Sequence, residues 1–231
     1  MQNVFFIVIA SIVIGYGLGC INFSYITSCI NGFDLRKFGS GNAGASNVII
    51  TMGRKAGIIV AILDVMKAFL AVKIAGMIFP QAIVGSNANY ASCIAAASAI
   101  IGHIFPFYMH FRGGKGLATI GGSVLALDYR LFIVLLFLAI VIAIATDYIC
   151  FVPISMAFIV PLSYGYVYKS WVAMLILFSS SVFVLYRHME NISRIKNGTE
   201  LRFHFLWNRQ SESERMGIPD DHEEVFKRER F

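Results

Sequence analysis

Residues 116–127 read Gly-Leu-Ala-Thr-Ile-Gly-Gly-Ser-Val-Leu-Ala-Leu, an apolar run held between Lys115 and Asp128. A helix that crosses a bilayer of about 30 Å needs about 20 residues, so this run is short for a span. If it crosses, every later segment lies on the opposite side from where a re-entrant turn would leave it. The topology of the whole chain therefore turns on these residues.

On either side the apolar runs are longer, covering residues 4–30, 56–79, 89–108, 131–146, 149–168 and 171–186. Of the 231 residues, 58% are hydrophobic and 14% charged, and the mean hydropathy is +0.72. That composition makes lipid the expected solvent for most side chains. Loop charge then chooses the span count, because basic residues gather on the cytoplasmic side. Seven spans with the N-terminus outside put Arg36, Lys37, Arg54, Lys55, Arg112, Lys115, Arg187, Arg194 and Lys196 inside, and leave only Arg130 and Lys169 outside. Six spans would send the cluster from Arg187 to Lys196 across the membrane and erase most of the asymmetry. The expected fold is an all-α integral membrane protein with seven transmembrane helices, one of them short, the N-terminus outside and the C-terminus cytoplasmic.

The formal net charge is +6. The tail from Glu200 onward holds six basic and eight acidic residues, which leaves the membrane portion at about +8. A basic juxtamembrane surface suits anchoring and anionic ligands, and no nucleic-acid partner is expected. Cys20, Cys29, Cys93 and Cys150 lack metal or disulfide spacing and read as small buried hydrophobes. Met1-Gln2-Asn3 lacks the basic start of a signal peptide, so the first span is expected to be retained. The halves show no repeat of the kind found in inverted-repeat transporters. Residues 1–202 form the expected membrane domain. Residues 203–231, with mixed charge and a breaker at Gly217-Ile218-Pro219, read as a mobile hydrophilic cytoplasmic tail.

Three basic or glycine-rich segments fall on the expected cytoplasmic side. The first runs Gly39-Ser40-Gly41-Asn42-Ala43-Gly44-Ala45-Ser46-Asn47, followed by Gly53-Arg54-Lys55. Small residues let backbone N–H groups approach an anion, and Ser40, Asn42, Ser46 and Asn47 add polar contacts. Its literal G-x-G-x-x-G is no dinucleotide fingerprint, because the flanking segments are membrane spans and not a βαβ unit. In the second, Phe111-Arg112-Gly113-Gly114-Lys115-Gly116-Leu117-Ala118-Thr119, a lysine sits among three glycines at a helix mouth, a setting for phosphate. It is not a Walker A loop, since Gly116 follows Lys115. Arg112 also reads as a headgroup anchor. In the third, a helix continuing past residue 186 would align His188, Asn191 and Arg194 on one face; an ordinary solvated helix end has the same pattern. Asp64 and Lys67, an i, i+3 pair within an apolar segment, read as a structural ion pair. His103 reads as a loop-ordering residue.

Together these segments resemble the acyl-phosphate:glycerol-3-phosphate acyltransferases, the bacterial PlsY family. The resemblance covers residues 1 to about 202 and rests on the motifs beginning at Gly39, Gly102 and His188, with the Asp64 and Lys67 pair. It implies an enzyme of the bacterial inner membrane, multi-pass, with its active site facing the cytoplasm. Such an enzyme transfers an acyl chain from acyl phosphate to the 1-hydroxyl of glycerol 3-phosphate, giving lysophosphatidic acid and phosphate without a metal or other cofactor. The implied partners are those substrates, the lipid bilayer and the peripheral enzyme that makes acyl phosphate. By matching motifs, Ser40, Lys115, His188 and Asn191 are the implied catalytic residues. Gly41, Asn42, Asn47, Arg54, Arg112, Gly113, Gly114, Gly116 and Arg194 are the implied substrate contacts. Ala43, Ser46 and Ala68 depart mildly from the family pattern. Ile50 departs more, standing where the family usually has a phosphate-contacting arginine; either Arg54 or Arg112 compensates or the affinity for glycerol 3-phosphate is lower. The competing class is a transporter of phosphorylated solutes, whose site should lie near the midplane.

Overall fold

The computed structural model describes residues 3–80, 88–206 and 208–215. The expected breaker at Gly217-Ile218-Pro219 lies outside them. In chain order the helices are α1 (Val4–Cys20), α2 (Phe23–Ile30), α3 (Ala45–Met52), α4 (Arg54–Ile78), α5 (Tyr90–Ile104), α6 (Leu117–Leu127), α7 (Tyr129–Thr146), α8 (Phe151–Val167), α9 (Trp171–Lys196) and α10 (Arg209–Arg215). Among the described residues, four helical stretches are long and apolar enough to cross a membrane: Val4–Ile30, Tyr90–Met109, Tyr129–Thr146 and Trp171–Lys196. Helices α6 and α8 are apolar but shorter. At 1.5 Å per residue, α6 is only about 17 Å long.

The expected first span is broken. Its helix ends at Cys20 and restarts after Asn22, whose side chain caps α2 by accepting from Tyr25 N at 2.8 Å. Polar groups freed by the break find partners, as groups shielded from water must. Tyr108 Oη donates to Cys20 O at 3.0 Å, and Lys67 donates to Ile21 O. Asn22, fully buried, donates to Ala43 O at 3.1 Å and so anchors the first glycine-rich loop. Helix α3 was also missed: it occupies part of the stretch read as a loop, because eight residues give too little periodicity to announce a helix. Cys29 is exposed, unlike the other three cysteines.

Close backbone approach fixes the bundle. A Cβ at Gly15 would lie 2.4 Å from Ala95 O, and one at Gly19 2.3 Å from Ala99 O, so α1 and α5 touch main chain to main chain. Small residues spaced by four permit this contact. Gly122 plays the same part between α6 and α4, where a Cβ would meet Val65 O at 2.1 Å. Helix α4 also carries the buried ion pair. Lys67 Nζ lies 2.7 Å from Asp64 Oδ1 and 2.9 Å from His103 Nδ1, joining α4 to α5. Intramembrane charges persist when paired in this way.

Helices α1, α4, α5, α6, α7, α8 and α9 run alternately between two ends of the bundle. At one end Tyr168 donates to Asp128 at 2.9 Å, and the hydroxyls of Tyr90 and Ser170 lie 3.1 Å apart. The three motif segments gather at the other.

Candidate active site

The first motif is organised by Asn47, which is 1% exposed. Its Oδ1 accepts from Ser40 N at 2.9 Å, while Nδ2 is shared among the carbonyls of Leu35, Phe38 and Asn42 at 3.0–3.2 Å. Gly39 has φ +58°, and a Cβ there would stand 2.1 Å from Asn47 Oδ1. Gly41, at φ +71°, donates its N–H to Phe38 O at 3.0 Å. Asn47 and Gly41, expected as substrate contacts, thus shape the loop from behind. Ser40 and Asn42 line the cavity instead, and Asn42 Oδ1 is buried without a hydrogen-bond partner.

The second motif is clamped to the end of α5. Gly113 N donates to Ile104 O at 3.0 Å and Gly114 N to His103 O at 3.1 Å. A Cβ on Gly114 would sit 2.1 Å from His103 Nε2. The N–H groups of Gly113 and Gly114 are therefore spent on α5 and not offered to an anion, a correction to their expected role. His103 orders the loop, chiefly through its carbonyl. Gly116, at φ +93°, opens α6 without any side-chain cap. Lys115 Nζ donates to Asn191 Oδ1 at 2.5 Å. Burial pushes the Lys115 ammonium down to about 8, the Arg194 guanidinium acts in the same direction, and the Glu200 carboxylate opposes both.

The third motif stays helical, since α9 runs to Lys196 and brings His188, Asn191 and Arg194 onto one face. His188 Nδ1 lies 2.7 Å from Val184 O. A carbonyl only accepts, so Nδ1 carries the proton and Nε2 is left as an acceptor. Asn191 Nδ2 donates to Glu200 Oε1 at 2.6 Å, and Arg194 Nε to Glu200 Oε2 at 2.9 Å. Glu200 is 5% exposed and is a site residue that the sequence reading did not single out. The available signal was a lone carboxylate two residues after a helix-ending glycine. Gly198, at φ +70°, turns the chain back, and Thr199 N bonds Arg194 O at 2.9 Å, which carries Glu200 under α9.

These segments enclose one cavity of about 360 Å³. Ser40, Asn42, Lys115, Gly116, His188, Asn191 and Arg194 line it, with Glu200, Asp64 and His103. The first residues of α3 and α6 also reach its wall, and neither helix has a side-chain cap. Uncapped N-termini present free N–H groups and partial positive charge, the setting for an anion. Arg54 and Arg112 are exposed and do not line the cavity. Arg54 follows the turn at Gly53 (φ +95°), and Arg112 N is tied to Met109 O at 3.2 Å. Ile50 is 2% exposed and packs with Ile49 and Leu201, and the guanidinium on the cavity wall is that of Arg194. Beside the cavity runs an apolar groove of about 330 Å³ between α4, α6, α7 and α8, and Val65, Leu117 and Ile149 line both. Among the described residues, no group of three or more His, Cys, Asp or Glu side chains could hold a metal ion.

A sequence model described as glycerol-3-phosphate acyltransferase matches residues 9–198. The chain belongs to this family. The family's "Glycerol-3-phosphate acyltransferase" from Syntrophomonas wolfei is 37% identical over 196 residues, covering 84% of this chain and 95% of that protein. The protein of the same name from Lactiplantibacillus plantarum is 35% identical over 184 residues, covering 79% of this chain and 86% of its own length. Two crystal structures of PlsY, an integral membrane glycerol 3-phosphate acyltransferase, share the fold. Its glycerol 3-phosphate form superposes with a TM-score of 0.75 at 30% identity, covering 86% of this chain and 96% of that one. Its lysophosphatidic acid form gives 0.73 at 28% identity with the same coverage. The chain is thus an all-helical membrane protein of the acyltransferase family.

Proposed function

We propose that this protein transfers an acyl chain from acyl phosphate to the 1-hydroxyl of glycerol 3-phosphate, giving lysophosphatidic acid and inorganic phosphate. One observation carries the reading: a cavity walled by a lysine, an arginine and two uncapped helix N-termini adjoins a groove lined by apolar side chains. A phosphate and an acyl chain on one molecule need those two compartments side by side. Both substrates carry phosphate, and the relatives named above are glycerol-3-phosphate acyltransferases.

In this mechanism the hydroxyl oxygen attacks the acyl carbonyl carbon, the bond from that carbon to the phosphate oxygen breaks, and the hydroxyl proton ends on the departing phosphate. Lys115 and the N–H groups of α6 offset phosphate charge. The hydroxyl of Ser40 and the second amide hydrogen of Asn191 are the donors available to the developing oxyanion. Asn42 Oδ1 accepts from a glycerol hydroxyl, which would satisfy its buried lone pair. Nε2 of His188 and a substrate phosphate oxygen are both competent to take the proton. Seven crossings, with the site facing the cytoplasm of a bacterial inner membrane, complete the proposal. The alternation of α1, α4, α5, α6, α7, α8 and α9 between the two ends, and the gathering of basic residues at the motif end, support it. Residues 1–202 would then be the catalytic domain, supplied with acyl phosphate by a peripheral enzyme.

The test is purified protein in detergent with acyl phosphate and glycerol 3-phosphate. Lysophosphatidic acid and phosphate are expected in equal amounts, and Lys115→Ala should abolish turnover while leaving the melting temperature in place. Transfer from acyl-CoA but not from acyl phosphate would sink the donor assignment.

A further inference from the structure

The segment after α9 lies beyond the residues that match the family, which end at 198. It is nevertheless bound to the site. Residue 202 bridges Tyr148, Phe203 N donates to Asp147 O at 2.7 Å, and His204 Nδ1 meets Asp147 Oδ1 at 2.5 Å. Leu201 packs on Ile49 and Ile50. Further on, Arg202 N donates to Glu212 Oε1 at 2.9 Å, and Arg215 of α10 pairs with Glu212 and donates to the carbonyls of Gly198 and Glu200. The described residues 199–206 and 208–215 thus form a strap, fastened to the turn after α7 and back to its own start.

The strap reaches both compartments, with Glu200 and Leu201 already in the wall of the polar cavity. Leu206 lines the polar cavity, while Phe203 lines the apolar groove and packs against the core cluster that includes Val152 and Met156. An acyl phosphate must place its carbonyl where the two compartments meet, with phosphate on one side and chain on the other. The groups flanking that junction decide how far the chain can pass. We propose that this strap is a specificity element, with Phe203 and Leu206 setting which acyl lengths seat their carbonyl beside Lys115. This rests on the acyl-transfer reading above. It assigns a role to residues that the family match does not reach.

The experiment compares the full chain with Phe203→Ala, Leu206→Ala and a chain ending after Asn208, which removes α10 and its anchors. For each, kcat and KM are measured with acyl phosphates of graded length and with glycerol 3-phosphate. Binding is read separately, as the melting-temperature rise given by lysophosphatidates of the same lengths. A methylene in an apolar pocket decides about 10-fold or more in kcat/KM, so the long-to-short ratio is expected to change about tenfold in Phe203→Ala and in the truncated chain. KM for glycerol 3-phosphate stays within about twofold of the parent. The binding profile shifts in the same direction. An unchanged length profile in all three variants overturns the proposal. So does an equal loss for every length together with a raised KM for glycerol 3-phosphate, the signature of a structural role. A parent chain that makes no product would refute acyl transfer, and the binding profile would still decide the strap.

Discussion

Raising the pH tests Lys115 directly. Its ammonium sits among glycines and beside Arg194, and titrates near 8 instead of near 10.5. A group of pKa about 8 is about nine-tenths protonated at pH 7 and about one-tenth at pH 9, so an activity that needs the ammonium falls about tenfold between them. The measurement is kcat/KM for glycerol 3-phosphate in detergent, from pH 6 to 10. Stability separates this loss from unfolding. The folded pKa lies below the unfolded one, so between about pH 8 and 10.5 the unfolded chain binds more protons and folding becomes more favourable, as far as Lys115 is concerned. The rate should therefore fall without a fall in melting temperature due to this group. Bound phosphate favours the ammonium, so the limb in kcat alone lies at higher pH. Lys115→Arg should remove the basic limb, since a guanidinium stays charged throughout. A profile flat to pH 9.5 in the native protein would refute the reasoning.

Other changes probe the support of the site. Glu200→Gln removes the charge that raises the Lys115 pKa, so the basic limb should move to lower pH, with a drop in kcat/KM as Arg194 and Asn191 lose their anchor; an unmoved limb would show that Glu200 does not act on Lys115. Lys67→Met leaves Asp64 buried without its partner and Ile21 O without its donor, and should cost about 3–5 kcal/mol in a detergent unfolding assay. A loss under about 1 kcal/mol would mean that the pair is not needed for folding. Gly122→Ala forces a Cβ against Val65 O and should destabilise the α4 and α6 contact by about 1–3 kcal/mol. An unchanged melting curve would show that the helices can part without cost.

Hydropathy and local spacing set the lipid surroundings and the candidate reactive groups. Long apolar runs have lipid as their natural surroundings whatever the tertiary arrangement, and each motif holds its reactive groups within a few residues of one another. The face shared by His188, Asn191 and Arg194 was legible because helical spacing is a local property, and the glycines around Lys115 were legible as a close backbone approach, which the structure places against α5. Which of these groups face the cavity became visible only in the folded chain. Asn47 and the N–H groups of Gly113 and Gly114 look from the sequence like ligands for phosphate, yet they bond to the chain itself, because buried polar groups take the nearest partner. The break at Cys20 depends on Tyr108 and Lys67, distant in sequence. Glu200 reaches Arg194 across a turn that no periodicity announces, and Leu206 joins the wall where Phe203 and His204 bond Asp147, distant in sequence. Local pattern carries what neighbours in sequence do to one another. The place of a side chain within the cavity depends on contacts between distant segments, and those exist only once the chain is folded.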